Sequence, residues 1–393
     1  MMRLAFLNWR DSTHPEGGGA ELYAETVCRG LAARGHDVTL FCAAHGTAPR
    51  FEERDGYTVR RQGGRVGVYP ASVAALRREA ATNGPFDVVV DTQNGVPFFA
   101  PLATDTPVVQ LVHHVHREQW PVVFGPAAAR VGWFLESRVS PVAYRGHQYV
   151  AVSEQTRAEL VELGVRDADI AVIHNGTAPS IRTGAPRHHH PTLVVLGRLV
   201  PHKRVEHAVD VVARLVARHP GLRLRVIGAG WWADRIRDHA LEQGVADRVD
   251  LLGFVSEEDK HRELEQAWLA LAPSVKEGWG LNVVESASHG VPTIAYHGAG
   301  GLSESIVDGV SGVLVEDHDA MVATVDRLLT DSELRDRLGA GALAHSARFS
   351  WDTSVTLWEE LLERAALGER PSRLNDTLLA RVRGHSTTGR AGR

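Results

Sequence analysis

Two cations follow an apolar, strand-like segment near the middle of the chain. Arg198 and Lys203 lie in residues 197–203, GRLVPHK, and a helical pattern begins directly after them. On a strand-to-helix loop both side chains can turn to one side and neutralise a diphosphate without a metal ion. For either residue alone a solvated charge is the simpler interpretation, so the pair needs support from elsewhere in the chain.

Two glutamates supply that support in a second strand-to-helix turn. Glu277 lies within residues 276–280, KEGWG, and Glu285 lies in the helical pattern that follows. Both can approach the N-terminus of that helix, where a phosphate group would also bind. Glutamates at this spacing are common by chance, but these flank a glycine-rich turn at the carboxyl side of a parallel strand, where such folds bind ligands. The pattern therefore predicts a site for a phosphorylated ligand beside two carboxylates.

The elements that position these residues are predicted from an alternation of short apolar runs with helical patterns, which is typical of βαβ units and parallel sheets. Strands are predicted in the first half over residues 4–9, 37–43, 57–61, 86–92, 107–113 and 148–153. Strands are predicted in the second half over residues 192–196, 222–228, 249–255, 268–273, 292–296 and 312–315. Helices are predicted over residues 20–33, 205–217, 233–243 and 281–289.

The alternation lapses over a polar stretch at residues 177–191, which predicts a linker between two lobes. The expected fold class is α/β, with two Rossmann-like lobes whose parallel sheets face each other across a cleft. The lobes are predicted to span residues 1–178 and 179–367, with the last helix packing back on the N-terminal lobe. Residues 368–393 are predicted to form a mobile tail.

The bulk composition is that of a globular protein with two domains. The chain has 393 residues, of which 44% are hydrophobic and 23% charged. Lys and Arg total 43 against 48 Asp and Glu, with no block of like charge, which argues against a nucleic-acid partner. Cys28 and Cys42 are the two cysteines and suit a reducing compartment. No apolar stretch approaches the length of a membrane span, so a cytoplasmic protein is predicted.

Other motifs have simpler interpretations than a binding site. Residues 17–21, GGGAE, let backbone N–H groups approach a phosphate or sugar, but Leu22 breaks the dinucleotide fingerprint. Residues 228–233, GAGWWA, fit that fingerprint loosely, yet the two tryptophans would crowd a pyrophosphate, so a tight packing turn is favoured. Three histidines at 188–190 point in different directions on a loop, which favours a polar linker over a metal site.

With these motifs in hand, the chain resembles the retaining glycosyltransferases of family 4, which have the GT-B fold. The resemblance covers almost the whole chain, and its most specific part is the E-x7-E arrangement of Glu277 and Glu285 within and after EGWGL. The other matching segments are residues 18–21 (GGAE), 34–38 (RGHDV), 172–176 (VIHNG), 197–199 (GRL) and 349–351 (FSW).

The resemblance implies roles for residues of the second lobe. Arg198 and Lys203 would bind the diphosphate of a nucleotide-sugar donor, and Glu285 would bind the ribose hydroxyls. Glu277 would be catalytic, contacting the transferred sugar near the reacting carbon. The remaining donor-binding residues that it implies are Gly18, Gly19, Phe254, Val255, Gly278, Gly280, Leu281 and Asn282. The nucleobase would lie against the backbone of residues 253–255.

In the first lobe, residues 109–113 match the family's strand that ends in a cleft histidine, which gives His113 a catalytic role. His114 and His116 are close neighbours, and three such histidines are an alternative metal site. The resemblance instead implies transfer without a metal or any cofactor other than the donor.

The implied reaction moves a sugar from a nucleoside diphosphate sugar to an acceptor hydroxyl with retention of configuration, in the synthesis of a polysaccharide, glycolipid or glycosylated metabolite. A sugar-nucleotide epimerase, a phosphorylase with a pyridoxal lysine and a non-catalytic sugar-binding protein are the alternatives. For a lipid acceptor, weak contact with the inner face of a membrane through Arg77 and Arg78, on the helix predicted over 72–81, is the alternative to a solvated helix face.

Overall fold

A computed structural model describes residues 1–374, and these divide into two compact units. The N-terminal unit comprises Met1–Gly176 together with the described residues from Trp351 onward, and the C-terminal unit comprises Thr177–Ser350. The predicted boundary at residue 178 lies close to the first division, whereas the predicted end of the second lobe, residue 367, lies beyond Ser350 because the last helix belongs to the N-terminal unit. Most of the predicted tail, residues 375–393, lies outside the described part of the chain.

The N-terminal unit contains a sheet of eight strands among the residues that the structure describes. They are β1 (Arg3–Leu7), β2 (Asp37–Ala43), β3 (Phe51–Arg54), β4 (Tyr57–Gln62), β5 (Val88–Gln93), β6 (Val108–Val112), β7 (Gln148–Ala151) and β8 (Ile170–Val172). Their order is β3-β4-β2-β1-β5-β6-β7-β8, and only the β3–β4 pair is antiparallel. Helices between them are α1 (Gly19–Ala33), α2 (Val68–Asn83), α3 (Trp120–Val123), α4 (Pro126–Phe134), α5 (Ser140–Ala143) and α6 (Glu154–Glu162).

The C-terminal unit contains an all-parallel sheet in the order β11-β10-β9-β12-β13-β14. Its strands are β9 (Thr192–Leu196), β10 (Arg223–Ile227), β11 (Val249–Gly253), β12 (Leu269–Ala272), β13 (Thr293–Tyr296) and β14 (Gly312–Val315). Its helices are α7 (Val205–Leu215), α8 (Ala233–Glu242), α9 (Glu257–Gln266), α10 (Leu281–Ser288), α11 (Leu302–Ser305), α12 (His318–Thr330) and α13 (Ser332–Ser346). The strand reversal at β9 and β12 places the ends of these two neighbours at a topological switch point.

The last helix, α14 (Trp351–Ala366), belongs to the N-terminal unit and packs against α1. The fully buried Trp358 donates its indole N–H to the Tyr23 hydroxyl at 2.6 Å. Close approach depends on Gly30, where a Cβ atom would lie 2.5 Å from Val355 Cγ2. A larger residue at Gly30 would therefore push the two helices apart.

The central strands of both sheets are buried on both faces, as is usual in parallel sheets. Residues 4–7 of β1 have no exposed surface, and the side chains of β12 are likewise buried. The strands predicted from the sequence are all present, with ends that differ by up to two residues. Two short strands, β3 and β8, were not predicted. No helix within residues 1–374 is long and apolar enough to cross a membrane, and the cytoplasmic location stays a prediction.

Candidate active site

The predicted phosphate and carboxylate residues lie at one edge of the C-terminal sheet. Strands β9 and β12 are parallel neighbours, with Leu193 paired to Leu269, so the loops that follow them leave from the same edge. Arg198 and Lys203 follow β9. A pocket at this edge is lined by both cations together with Ser274, Asn282 and the ends of the two strands. The structure therefore brings the two cations together with Glu277, which contacts Lys203.

Glu277 is the centre of the polar contacts at this edge. Its Oε1 accepts hydrogen bonds from the Lys203 ammonium group and from the Ser274 hydroxyl, the latter at 2.6 Å. The Glu277 side chain is 13% exposed. Burial opposes ionisation, but the Lys203 charge and the hydrogen bonds from Lys203 and Ser274 hold the pKa of Glu277 below its usual value. Glu277 is therefore an anion at neutral pH.

The backbone of the Glu277 loop is held by its neighbours. The Glu277 amide donates to the Ala299 carbonyl at 3.1 Å, and the Glu277 carbonyl accepts from the Gly301 amide at 2.9 Å. A Cβ atom at Gly300 would lie 2.3 Å from the Glu277 carbonyl oxygen, and one at Gly301 would lie 2.2 Å from that of Gly278. Glycine is needed at both positions because any side chain there would clash with the Glu277 loop and separate the two backbones.

Helix α10 begins beside this loop, at a residue with a left-handed backbone. Gly280 has φ 88°, and a Cβ atom on it would meet Leu302 Cδ2 at 2.4 Å. Helix geometry leaves the first amides of α10, including those of Leu281 and Asn282, without an acceptor inside the helix. Such a terminus carries partial positive charge and suits a phosphate oxygen.

The second glycine motif supports the phosphate loop. A Cβ atom at Gly228 would lie 2.0 Å from the Gly197 carbonyl oxygen, and one at Gly230 would lie 2.1 Å from that of Leu199. The Leu199 amide donates to the Ala229 carbonyl at 3.0 Å. These contacts account for residues 228–230 as a packing turn that holds the backbone around Arg198.

Glu285 lies on α10 and pairs with a residue that sequence reasoning missed. Its Oε1 lies 2.7 Å from Lys260 Nζ on α9. Burial opposes the charge on Lys260, but Glu285 and Glu257 raise its pKa above the usual value. Ser274 was missed as well, because a serine after a strand gives no distinctive signal. For Lys260 the sequence does contain a signal, because Glu257 lies three residues before it, a spacing that places both side chains on one face of a helix.

The other predicted donor residues lie at different places. Phe254 follows β11 and is 92% exposed, whereas Val255 packs on a small apolar cluster. In the N-terminal unit, Gly18 precedes α1, and its amide already donates to Glu21 Oε2 at 2.8 Å. Gly19 is the first residue of α1. Their donor-binding roles stay predictions.

His113 follows β6 and is buried, with 6% of its surface exposed. Its ring lies edge-on to that of Tyr23, with the centroids 5.3 Å apart. Burial, with a smaller contribution from His116, lowers the pKa of His113 to about 3, so the ring is neutral at physiological pH. Its catalytic role also stays a prediction. Across residues 1–374, no three His, Cys, Asp or Glu side chains form a cluster that would hold a metal.

Comparisons with known proteins agree with this arrangement. The model of glycosyltransferase family 4 matches residues 17–180, and that of glycosyl transferases group 1 matches residues 180–345. The D-inositol 3-phosphate glycosyltransferase of Stackebrandtia nassauensis is 30% identical, over 91% of this chain and 90% of its own length. An exopolysaccharide phosphotransferase of Streptomyces coelicolor is 34% identical over 54% of this chain, a match that spans 23% of that protein.

Solved structures show the same fold. Sucrose-phosphate synthase from Thermosynechococcus elongatus superposes with a TM-score of 0.79 at 20% identity, covering 94% of this chain and all of its own. Anabaena HepE, crystallised with UDP and glucose, superposes with a TM-score of 0.71 at 21% identity, covering 92% of this chain and all of its own. The predicted GT-B fold is confirmed. This chain belongs to glycosyltransferase family 4 and is a glycosyltransferase.

Proposed function

We propose that the enzyme transfers a hexose from a UDP-sugar to an acceptor hydroxyl with retention of configuration and without a metal ion. The observation that carries this proposal is the cluster at the ends of β9 and β12, where Lys203 pairs with Glu277 beside the N-terminus of α10. The two cations that line the pocket, and a carboxylate in contact with one of them, match the two charges of the reaction, which are negative on the leaving diphosphate and positive on the anomeric carbon.

The diphosphate is bound by Arg198, Lys203 and the first amides of α10. As the anomeric C–O bond breaks, negative charge grows on the departing phosphate, and groups already oriented toward it stabilise the transition state. Because these groups supply the positive charge, departure of the diphosphate requires neither a general acid nor a divalent ion. This is the role that Mg²⁺ has in many other transferases of phosphorylated substrates.

Glu277 stabilises the positive charge that develops on the sugar. Its low pKa keeps it ionised, and Lys203 and Ser274 fix the direction of the carboxylate. In retaining transfer, the acceptor oxygen forms its bond to the anomeric carbon on the face that the diphosphate leaves. The hydroxyl proton passes to an oxygen of the departing phosphate, so no side chain is required as the base.

Substrate proposals come from the relatives. UDP-glucose is the first donor to test because HepE was crystallised with UDP and glucose. D-Inositol 3-phosphate is the first acceptor because it names the relatives that match over most of their length. Lipid and oligosaccharide acceptors complete the panel, in line with a role in glycoconjugate synthesis.

The test measures UDP release across donor and acceptor panels and determines the anomeric configuration of the product by NMR. Retention with the active pair supports the proposal, and an inverted product contradicts it. Release of a new sugar or epimer from donor alone would favour the epimerase alternative. Donor binding without turnover across the panel would favour a sugar-binding protein.

A further inference from the structure

A buried carboxylate in the N-terminal unit holds a histidine and a tryptophan. Glu136 is fully buried and lies in a π-helical turn, Leu135–Val139. Its Oε1 accepts from His116 Nδ1 at 2.9 Å and from the His116 amide at 3.1 Å. Its Oε2 accepts from the Trp120 indole N–H at 2.6 Å. Turns of this kind are rare and frequently occur at functional sites.

Two strands support the carboxylate from the other side. Gln93 at the end of β5 donates to Glu136 Oε1 at 3.4 Å, and Gln110 on β6 donates to Gln93 Oε1 at 2.5 Å. Both glutamines are buried. An ionised carboxylate without such partners would be costly in this environment. Both oxygens of Glu136 therefore accept hydrogen bonds, and these fix the position of the carboxylate.

Trp120 is fitted to its position by two glycines. A Cβ atom at Gly132 would lie 2.3 Å from the Trp120 ring, and one at Gly95 would lie 2.9 Å from it. Any residue larger than glycine at position 132 or 95 would therefore clash with the Trp120 ring. Its N–H group in turn fixes the second oxygen of Glu136.

The contact with Glu136 determines which nitrogen of His116 carries the proton. A carboxylate accepts hydrogen bonds and does not donate them, so Nδ1 of the neutral ring is protonated and Nε2 presents a lone pair. The His116 side chain is 18% exposed. By contrast, Nε2 of His113 is buried and has no hydrogen-bond partner among the described residues. His116 is thus the better placed of the two to meet a molecule from solvent.

We propose that His116 binds the acceptor, accepting a hydrogen bond at Nε2 from an acceptor hydroxyl other than the attacking one, and that Glu136 is its positioning residue. The location favours this role, because His116 follows the carboxyl end of a parallel strand, where open α/β sheets bind ligands. The hydrogen bond fixes the orientation of the acceptor on the N-terminal unit and leaves the proton of the attacking hydroxyl free to pass to the departing phosphate. The inference rests on the proposed function.

The first test is His116→Asn, measured with UDP-glucose and the acceptor panel headed by D-inositol 3-phosphate. The asparagine amide can still donate to Glu136 but has no group at the position of Nε2. We expect the KM for acceptor to rise about tenfold or more, with UDP affinity unchanged by calorimetry. His189→Asn, at an exposed histidine in the linker, is the matched control and keeps the parent values.

The second test is Glu136→Gln, with the ¹⁵N NMR spectrum of His116 in the unmodified enzyme. Glutamine has the same shape but cannot accept from both His116 and Trp120, so the same acceptor defect is expected in a weaker form. The spectrum should show the neutral ring protonated at Nδ1, whatever the acceptor proves to be.

Two results would overturn the proposal. One is a ring protonated at Nε2 in the unmodified enzyme. The other is a His116→Asn variant with a lowered melting temperature and an unchanged acceptor KM, which would mean that His116 only satisfies Glu136. An unmodified enzyme that consumes no UDP-sugar refutes the proposed function instead, and the NMR result then decides the position of the His116 proton alone.

Discussion

The Lys203 ammonium group donates a hydrogen bond to the Glu277 carboxylate across a sequence separation of 74 residues. Each residue lies in the loop after a parallel strand, and the two strands are neighbours in the sheet. One cation thereby serves two purposes, because it stabilises the ionised carboxylate and stands in the pocket proposed for the diphosphate. In the proposed mechanism, this single side chain couples donor binding to the chemistry.

Replacing Glu277 by Gln should reduce turnover far more than binding. The variant keeps the size of the side chain and removes the charge that is proposed to stabilise the developing positive charge on the sugar. We expect kcat to fall by about two orders of magnitude. UDP affinity measured by calorimetry should stay within a few-fold of the parent value, since Lys203 remains available to phosphate. A variant with near-normal kcat would show that Glu277 is not catalytic.

Replacing Glu285 by Ala should have the opposite profile. The ribose contact predicted for Glu285 would be made before and during the reaction, so its loss is expected to weaken binding by about 1.5 to 3 kcal/mol, roughly a 10- to 150-fold change in donor affinity. Turnover at saturating donor should change less. Lys260→Met is the companion variant, because it removes the ion pair and leaves Glu285 in place. Equal donor affinity in the parent and Glu285→Ala enzymes would refute the ribose assignment.

Activity should persist in excess EDTA. In the proposed mechanism Arg198, Lys203 and the terminus of α10 supply the positive charge at the phosphate site, so removal of divalent ions would leave it intact. Initial rates of UDP release before and after prolonged dialysis against the chelator provide the measurement. Loss of activity that manganese or magnesium restores would contradict metal-independent transfer.

Replacing Gly301 by Ala should displace the Glu277 loop by a steric clash, without backbone strain. Gly301 has φ −62°, which alanine adopts without strain, but the added Cβ would lie 2.2 Å from the Gly278 carbonyl oxygen. We expect a loss of about 1 to 3 kcal/mol in the free energy of unfolding and a lower kcat. Gly125→Ala is the control, with the same φ and no atom near its Cβ. Equal effects of the two substitutions would contradict the steric argument.

Two buried histidines, His261 on α9 and His289 directly after α10, should make the stability of the folded enzyme decrease in mild acid. His289 Nε2 lies 2.6 Å from His261 Nδ1, and burial, followed by the His261 charge, lowers the pKa of His289 to about 4. Unfolded histidine titrates near 6.5, so between about pH 6.5 and 4 the unfolded chain binds a proton that the folded chain does not. Stability should therefore decrease as pH falls through this window, by about 1.4 kcal/mol per unit.

The measurement is the free energy of unfolding from pH 7.5 to 4.5 for the parent enzyme and for His289→Gln. The variant should show a shallower decline. His297→Gln, at a side chain that is 45% exposed, is the control and should follow the parent curve. Parallel curves for all three proteins would rule out His289 as a source of acid sensitivity.

Much of this architecture follows from local patterns in the sequence. Buried parallel strands such as β9 are continuous apolar runs, and glycines 278 and 280 mark a turn before a helix, so their positions were predictable. Strand β3, FEER, was missed because it is short, charged and half-exposed, and its pairing with β4 is what makes it a strand.

The contacts between residues far apart in the sequence could not be predicted from such local patterns. Nothing local shows that Lys260 pairs with Glu285 or that Glu136 holds His116, because each pair depends on how two separate elements pack. The sequence placed three histidines after β6 without distinguishing them. The structure separates them by surroundings: His113 lies buried against Tyr23, and His116 is held by a carboxylate.

The assignment of α14 to the N-terminal unit has a consequence for synthesis on the ribosome. The C-terminal unit, Thr177–Ser350, is inserted between two parts of the N-terminal unit, so all of it is made before α14 exists. Until Trp358 emerges, the face of α1 that carries Tyr23 and Gly30 has no helix to cover it. The unit that starts first is therefore completed last, and a ribosome stalled with α14 still inside its exit tunnel would hold a complete C-terminal unit and an N-terminal unit with an open apolar face.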